Sequence, residues 1–133
     1  MKRRHLHLIG IFAFLLSTSM AIAKDYIIYS IMQDIPTGAP GHQVKKNYYL
    51  NIGQQQGVSS GTVLDVYRNI SVLDPYETKN RFNYKVKIGE LKVIHSEEHA
   101  SIGTLQTLAS DTSSPMFDVN AFMIGDKVDV KIK

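Results

Sequence analysis

The clearest pattern in the chain lies between residues 81 and 88. Phe82, Tyr84, Val86 and Ile88 alternate with Arg81, Asn83, Lys85 and Lys87. Period-2 alternation of apolar and charged residues predicts a strand with one face buried and the other in water. After Gly89 the phase slips. Leu91 and Val93 now occupy odd positions, where the apolar set had been even. A regular strand would send these two side chains into solvent. A β-bulge at Gly89 and Glu90 adds one residue and returns them to the core. The pattern therefore predicts one long strand over residues 83–95, bent at Gly89.

Other strands follow from the same reasoning. Residues 26–32 are rich in aromatic and β-branched side chains, as are residues 47–52 and 62–69. A returning strand covers residues 100–108. The chain closes on Val128, Val130 and Ile132 alternating with Lys127, Asp129, Lys131 and Lys133. Between these segments lie breakers. Asp34, Pro36, Gly38, Pro40 and Gly41 mark a long loop, and Asp74 and Pro75 open a turn that runs to Asn80. A polar loop spans residues 110–115. Apart from one short turn at residues 117–122, no helical periodicity emerges. The predicted fold is all-β: a small antiparallel β-barrel of about six strands with a bulged long strand.

Residues 48–67 contain Gly53, Gly57 and Gly61 between two of these strands. Glycines at this spacing predict a tight turn, a β-turn-β unit of the barrel. Gly89 and Gly125 join them as structural positions. A phosphate loop is the chemical alternative for this segment. It requires Gly-Lys-Ser/Thr, and Gly61 is followed directly by Thr62. Gln54, Gln55 and Gln56 fill the spacing with polar side chains, which excludes a membrane helix-pairing motif.

The N-terminus changes the charge argument. Lys2, Arg3 and Arg4 precede a short apolar run over residues 8–16, and Ala21 and Ala23 frame an A-x-A site. That is the pattern of a cleaved signal peptide over residues 1–23. An uncleaved N-terminal anchor is the alternative. The expected organisation is a signal peptide (1–23), an N-terminal strand and loop arm (24–46) and a β-barrel domain (47–133). Without Lys2, Arg3 and Arg4, the 15 basic residues fall to 12, against 12 acidic residues. The sequence pI of 9.1 is thus no sign of nucleic-acid binding. The expected location is periplasmic, with no integral membrane span after cleavage. The chain has no Cys, which excludes a disulfide framework and lipidation on Cys.

Candidate chemistry is sparse. His95, Glu98 and His99 match H-x-x-E-H, an inverted zinc-protease motif whose chemistry requires a helix. Here it lies between two strands, and the reading taken is a solvated turn. Asn69, Ile70 and Ser71 match a glycosylation sequon by pattern alone. His42 follows Gly41 in a loop, and no Ser-His-Asp set comes together. Hence no catalytic residue, cofactor or metal is expected. Lys79, Arg81, Lys85 and Lys87 form a basic stripe. They are either an ordinary solvated sheet face or contacts to an anionic partner.

The order of motifs carries a resemblance. Asn51, Ile52 and Gly53 are followed by Gly57-Val58, then by Gly61 with the strand from Thr62 to Arg68. Asp74-Pro75, Ile88-Gly89-Glu90-Leu91-Lys92-Val93, Ser101-Ile102-Gly103 and Gly125-Asp126-Lys127-Val128 complete the series. This series resembles the C-terminal domain of the flagellar assembly protein T family. It is also similar to the β-domains of rod-shape-determining protein C. The resemblance implies a non-enzymatic protein of the cell envelope, associated with the flagellar basal body or motor. The upstream domains of that family have no counterpart here. The expected function is a structural or assembly module with protein partners in the envelope, such as flagellar ring components or further copies of itself. A periplasmic glycan- or peptidoglycan-binding module is the alternative, and a hydrolase stands third.

Overall fold

A computed structural model describes residues 23–41, 43–76, 79–109 and 119–131. Residues 1–22 of the expected signal peptide, His42, residues 77 and 78 of the expected turn, the loop 110–115, Phe117, Ile132 and Lys133 lie outside the described residues. Among those described, six strands form one sheet: β1 (Ile28–Gln33), β2 (Lys46–Leu50), β3 (Val63–Leu73), β4 (Arg81–Ser96), β5 (Ser101–Leu108) and β6 (Lys127–Val130). The only helical element among them is a 3-10 turn at Gln54–Gln56. No helix of the described residues is long and apolar enough to cross a membrane.

The sheet order is β1-β2-β5-β4-β3-β6, with every neighbouring pair antiparallel. Its right-handed twist and its bulges curl it into a half-barrel. The two outer strands meet at one end. There Ile28 N donates to Asp126 O at 2.9 Å, Gly125 N to Ile28 O at 2.8 Å, and Val128 N to Tyr26 O at 2.9 Å. The first strand, expected in an N-terminal arm, is an edge of this same sheet, and Ile28 is fully buried.

Inward-facing positions fill the half-barrel. Ile28, Leu50, Leu64, Val66, Ile88, Leu91, Val93 and Val128 are all buried there. Each contributes about 1.5–3 kcal/mol through burial of its side chain. Tyr48 and Phe122 meet edge to face, with ring centroids 5.5 Å apart.

The bulge in β4 exists, one residue before its expected place. Val66 pairs with Gly89 and Tyr67 with Lys87, so Ile88 is the extra residue opposite β3. The result is the one the phase slip demanded: Ile88, Leu91 and Val93 are buried together. Gly89 serves a second need at this point. A Cβ there would lie 2.8 Å from the Phe122 ring and against the Thr107 carbonyl oxygen.

The Gly53–Gly57–Gly61 segment differs from expectation. Strands β2 and β3 are not neighbours, because β5 and β4 lie between them. Residues 51–62 join β2 to β3 by running past the end of β4 and the β4–β5 turn, where they hydrogen-bond to residues 93–98. Ile52 and Val58 plug the core from there. Gly53 has extended backbone, so it is not a turn glycine. Its role is close approach: a Cβ would lie 2.7 Å from Ala100 N and 2.9 Å from Glu98 O. That proximity lets Gln54 N donate to Glu97 O (2.9 Å) and Gln55 N to Glu98 O (3.1 Å). Gly57 (φ 79°) and Gly61 (φ 90°) do turn the chain, as does Gly125 (φ 96°) before β6.

Candidate functional site: a projecting two-stranded arm

Strands β3 and β4 outrun their neighbours. On β3 the partner β6 reaches only from Leu64 to Tyr67. On β4 the partner β5 reaches only from Gly89 to Ser96. Beyond these limits, among the described residues, β3 and β4 pair only with each other, from Arg68↔Val86 out to Leu73↔Arg81. This two-stranded arm ends in a turn where Asp74 N donates to Asn80 O at 2.9 Å. Asp74 Oδ1 accepts from Tyr76 N at 2.9 Å, an Asx turn that tightens the tip.

Paired residues of an antiparallel ribbon share a face. One face of the arm is apolar: Ile70 with Tyr84, Val72 with Phe82, and Val86 beside Arg68. Sequence alternation placed Phe82 and Tyr84 in the core. They are instead 50% and 43% exposed, because no second layer of the described structure covers this stretch. Tyr76 at the tip is 92% exposed. A lone hairpin is marginally stable in water, and an exposed apolar strip rimmed by polar groups marks a contact surface.

The other face carries the basic stripe, and the structure divides it. Lys85 and Lys87, near the base, are held by carboxylates of the barrel. Lys85 Nζ lies 2.7 Å from Asp129 Oδ2 and 4.3 Å from the centroid of the Tyr67 ring. Lys87 Nζ lies 2.7 Å from Asp65 Oδ1 and 3.0 Å from Glu90 Oε1. Lys131 also reaches Glu90, at 2.7 Å. The hydrogen bonds from Lys131 and then Lys87 hold the Glu90 carboxyl down at about 2. Hydrogen bonding to the same carboxylates, to Asp129 for Lys85 and to Asp65 and Glu90 for Lys87, raises both lysines above the ordinary range. Lys79 and Arg81 lie at the tip, exposed, with no ion pair among the described residues. The stripe is thus a base that braces the arm and a cationic tip.

The anchor of the arm escaped sequence reasoning. Arg68 holds Asp126 through two parallel hydrogen bonds, Nε to Oδ1 at 2.9 Å and a terminal nitrogen to Oδ2 at 2.8 Å. It also donates to Ala121 O at 3.0 Å, and Asp126 Oδ2 accepts from Met123 N at 2.7 Å. This cluster ties the arm to the loop that delivers Phe122 to the core. The two residues lie 58 positions apart, so no local pattern in the sequence pairs them.

The remaining candidates do not converge. His95 and the turn Glu97–Ala100 are exposed at the β4–β5 connection, on the surface that receives Gly53. His95 Nε2 meets Glu97 Oε1 at 2.8 Å, and His99 Nε2 lies 3.8 Å from Glu98 Oε1. Each His therefore has its own carboxylate. No group of three or more potential metal ligands forms among the described residues. Ser101 Oγ is buried without a hydrogen-bond partner. Ser101 pairs with Ser96 and His95 with Ile102, so the register sets Ser101 and His95 on opposite faces.

Two of the concave regions among the described residues carry aromatic side chains. A groove of about 390 Å³ lies beside Lys46, Leu105, Leu108 and Asn120. Tyr48 and Phe122 also line it, but both rings are buried in the core, so neither offers a stacking face. A shallower hollow of about 160 Å³ lies near Tyr29, Tyr49, His95 and Glu97. There the Tyr29 and Tyr49 rings stand 6.3 Å apart. No protein-family model and no curated protein matches this chain.

Proposed function

We propose that this protein is an exported, non-catalytic assembly module of the cell envelope that holds protein partners through the β3–β4 arm. The observation that carries the reading is the apolar face on which Val72, Phe82 and Tyr84 stand half-exposed, flanked by the partly buried Ile70 and Val86, on a ribbon braced from below. Folding gains little from exposing these side chains, whereas a partner that covers them gains burial of each. The leader pattern of residues 1–23 supports export to the periplasm. The order of motifs that resembles the flagellar assembly protein T family directs the proposal to the flagellar basal body or motor. The balanced charge outside the leader favours protein partners over nucleic acid.

The test is complementation. A deletion strain is given either the wild-type gene or a Phe82→Ser, Tyr84→Ser variant. The reading expects the variant to accumulate folded protein yet fail to restore envelope or basal-body assembly. Full restoration by the variant would count against the arm.

A second reading, a module that binds peptidoglycan glycan, draws on the exposed Tyr29 ring beside Tyr49 and Glu97. Aromatic faces with polar tips suit a sugar ring. Purified protein should then sediment with peptidoglycan, and Tyr29→Ala should abolish it. Sedimentation lost instead on charge reversal of Lys85 and Lys87 would place the glycan on the basic face.

A further inference from the structure

We infer that the free edge of β3, residues 69–73, pairs antiparallel with the same edge of a second copy of this chain. The inference rests on the arm being a contact surface and names its partner.

Backbone phase identifies which groups face outward. Lys131 N donates to Val63 O, so odd-numbered residues of β3 turn their backbone toward the β6 side. Val93 N donates to Thr62 O, so even-numbered residues turn toward β4. Because β6 stops opposite Tyr67, the N–H and C=O groups of Asn69, Ser71 and Leu73 point outward with no strand beside them among the described residues. An edge of this kind is a template for another strand.

The arm has two such edges, and their side chains differ. On β4 the outward residues are Arg81, Asn83, Lys85 and Lys87. Antiparallel self-pairing centred on residue 83, 84 or 85 would set Arg81 opposite Lys85, Arg81 opposite Lys87, or Lys85 opposite its own copy. Like charges directly opposite each other are destabilising, and lysines blunt an edge. The β3 edge reads Asn69-Ile70-Ser71-Val72-Leu73. It has no charge, no proline and two β-branched residues, the composition that favours strand pairing.

Centring the pair on Ser71 places Ser71 opposite Ser71, Asn69 opposite Leu73 and Ile70 opposite Val72. Three directly bonded pairs give about six backbone hydrogen bonds. No charged side chain opposes another within this stretch. The two arms become one four-stranded sheet. Its apolar face joins the five side chains of one copy to the five of the other, which doubles the surface offered to an envelope partner.

Sedimentation velocity on protein purified from cells expressing the full chain tests this directly. Wild type should pass from monomer to dimer with rising concentration. Ser71→Lys and Ser71→Glu, each placing like charges at the dyad, should remain monomeric with unchanged far-ultraviolet circular dichroism. An equimolar mixture of the two should recover the dimer. Amide exchange at residues 69, 71 and 73 should be slow in the wild-type dimer and fast in Ser71→Lys. A wild type that is monomeric throughout, a dimeric Ser71→Lys, or slow exchange at these amides in a monomer would overturn the pairing. The two readings fail separately. If Phe82→Ser, Tyr84→Ser restores assembly while the wild-type dimer is broken by Ser71→Lys, the assembly reading falls and the pairing stands. If the wild type is monomeric and its Phe82→Ser, Tyr84→Ser variant loses assembly, the pairing falls and the assembly reading stands.

Discussion

Replacing Arg68 by Ala removes the clamp between the arm and the barrel. In the wild type the Asp126 carboxylate is only 5% exposed and accepts two bonds from Arg68 and one from Met123 N. Arg68→Ala leaves one backbone donor facing a buried negative charge, and it strips Ala121 O of its partner. Breaking one side of a buried ion pair costs about 3–5 kcal/mol. Arg68 retains 20% exposure, so water reaches the vacated space and the lower end applies, about 3 kcal/mol. Urea unfolding followed by tyrosine fluorescence reads this directly. With a slope of about 1–3 kcal/mol/M, the midpoint should fall by about 1–3 M. Arg68→Lys keeps the charge but loses the fork, and should sit between the two. The double variant Arg68→Ala, Asp126→Ala should be destabilised by less than the sum of the single changes, because the stranded charge is gone. A loss below about 1 kcal/mol for Arg68→Ala, or strict additivity, would refute the reasoning.

Three further outcomes are expected. Gly53→Ala forces a methyl group against the backbone of residues 97–100 and breaks the docking of Gln54 and Gln55; a loss of about 2–4 kcal/mol is expected in thermal or urea unfolding, in the upper range of overpacking changes because backbone rather than a flexible side chain must give way. Glu90→Gln tests the brace at the base of the arm. The Glu90 carboxyl is lowered in the folded state to about 2. Its stabilisation is therefore present above the ordinary carboxylate range and is lost as pH falls toward 2. Lys87 and Lys131 are both more than two-fifths exposed, so the brace contributes about 1 kcal/mol at neutral pH. The gap between wild type and Glu90→Gln should close on acidification and shrink in high salt; a gap constant with pH would contradict the ion-pair account. Phe82→Ser, Tyr84→Ser should change stability by no more than about 0.5 kcal/mol per site, since neither side chain lies in the core; a loss of several kcal/mol would show that the face is covered in the free protein.

How far the sequence disclosed this molecule depends on what each residue had to know. Alternation and the slip after Gly89 revealed β4 and its bulge, because both are consequences of period-2 geometry within one strand. The fold class followed from the same local logic. Burial of Phe82 and Tyr84 did not, because alternation states which residues share a face and not whether anything covers it. The expected strands, 62–69 and 83–95, stop short of the end of the arm. In the structure β3 and β4 run to 11 and 16 residues, whereas β6 has 4, so the longer pair projects past its neighbours among the described residues. Gly53 and Gly57 looked alike in sequence, yet one makes room for a neighbouring backbone and the other turns its own. Such a difference is set by tertiary contact. The Arg68–Asp126 clamp and the Lys87–Glu90–Lys131 brace are long-range in the same way. Formal charge cannot show that half of a basic stripe is already engaged by the barrel.

Site-specific photo-crosslinking in intact cells tests the central claim most directly. A photoreactive residue is placed at position 82 or 84 on the apolar face of the arm, or at position 29 on the far edge of the sheet. The account predicts discrete crosslinked species from 82 and 84, absent from 29 and reduced when Arg68→Ala loosens the arm. Crosslinks of equal yield from position 29, or none from the arm, would contradict it.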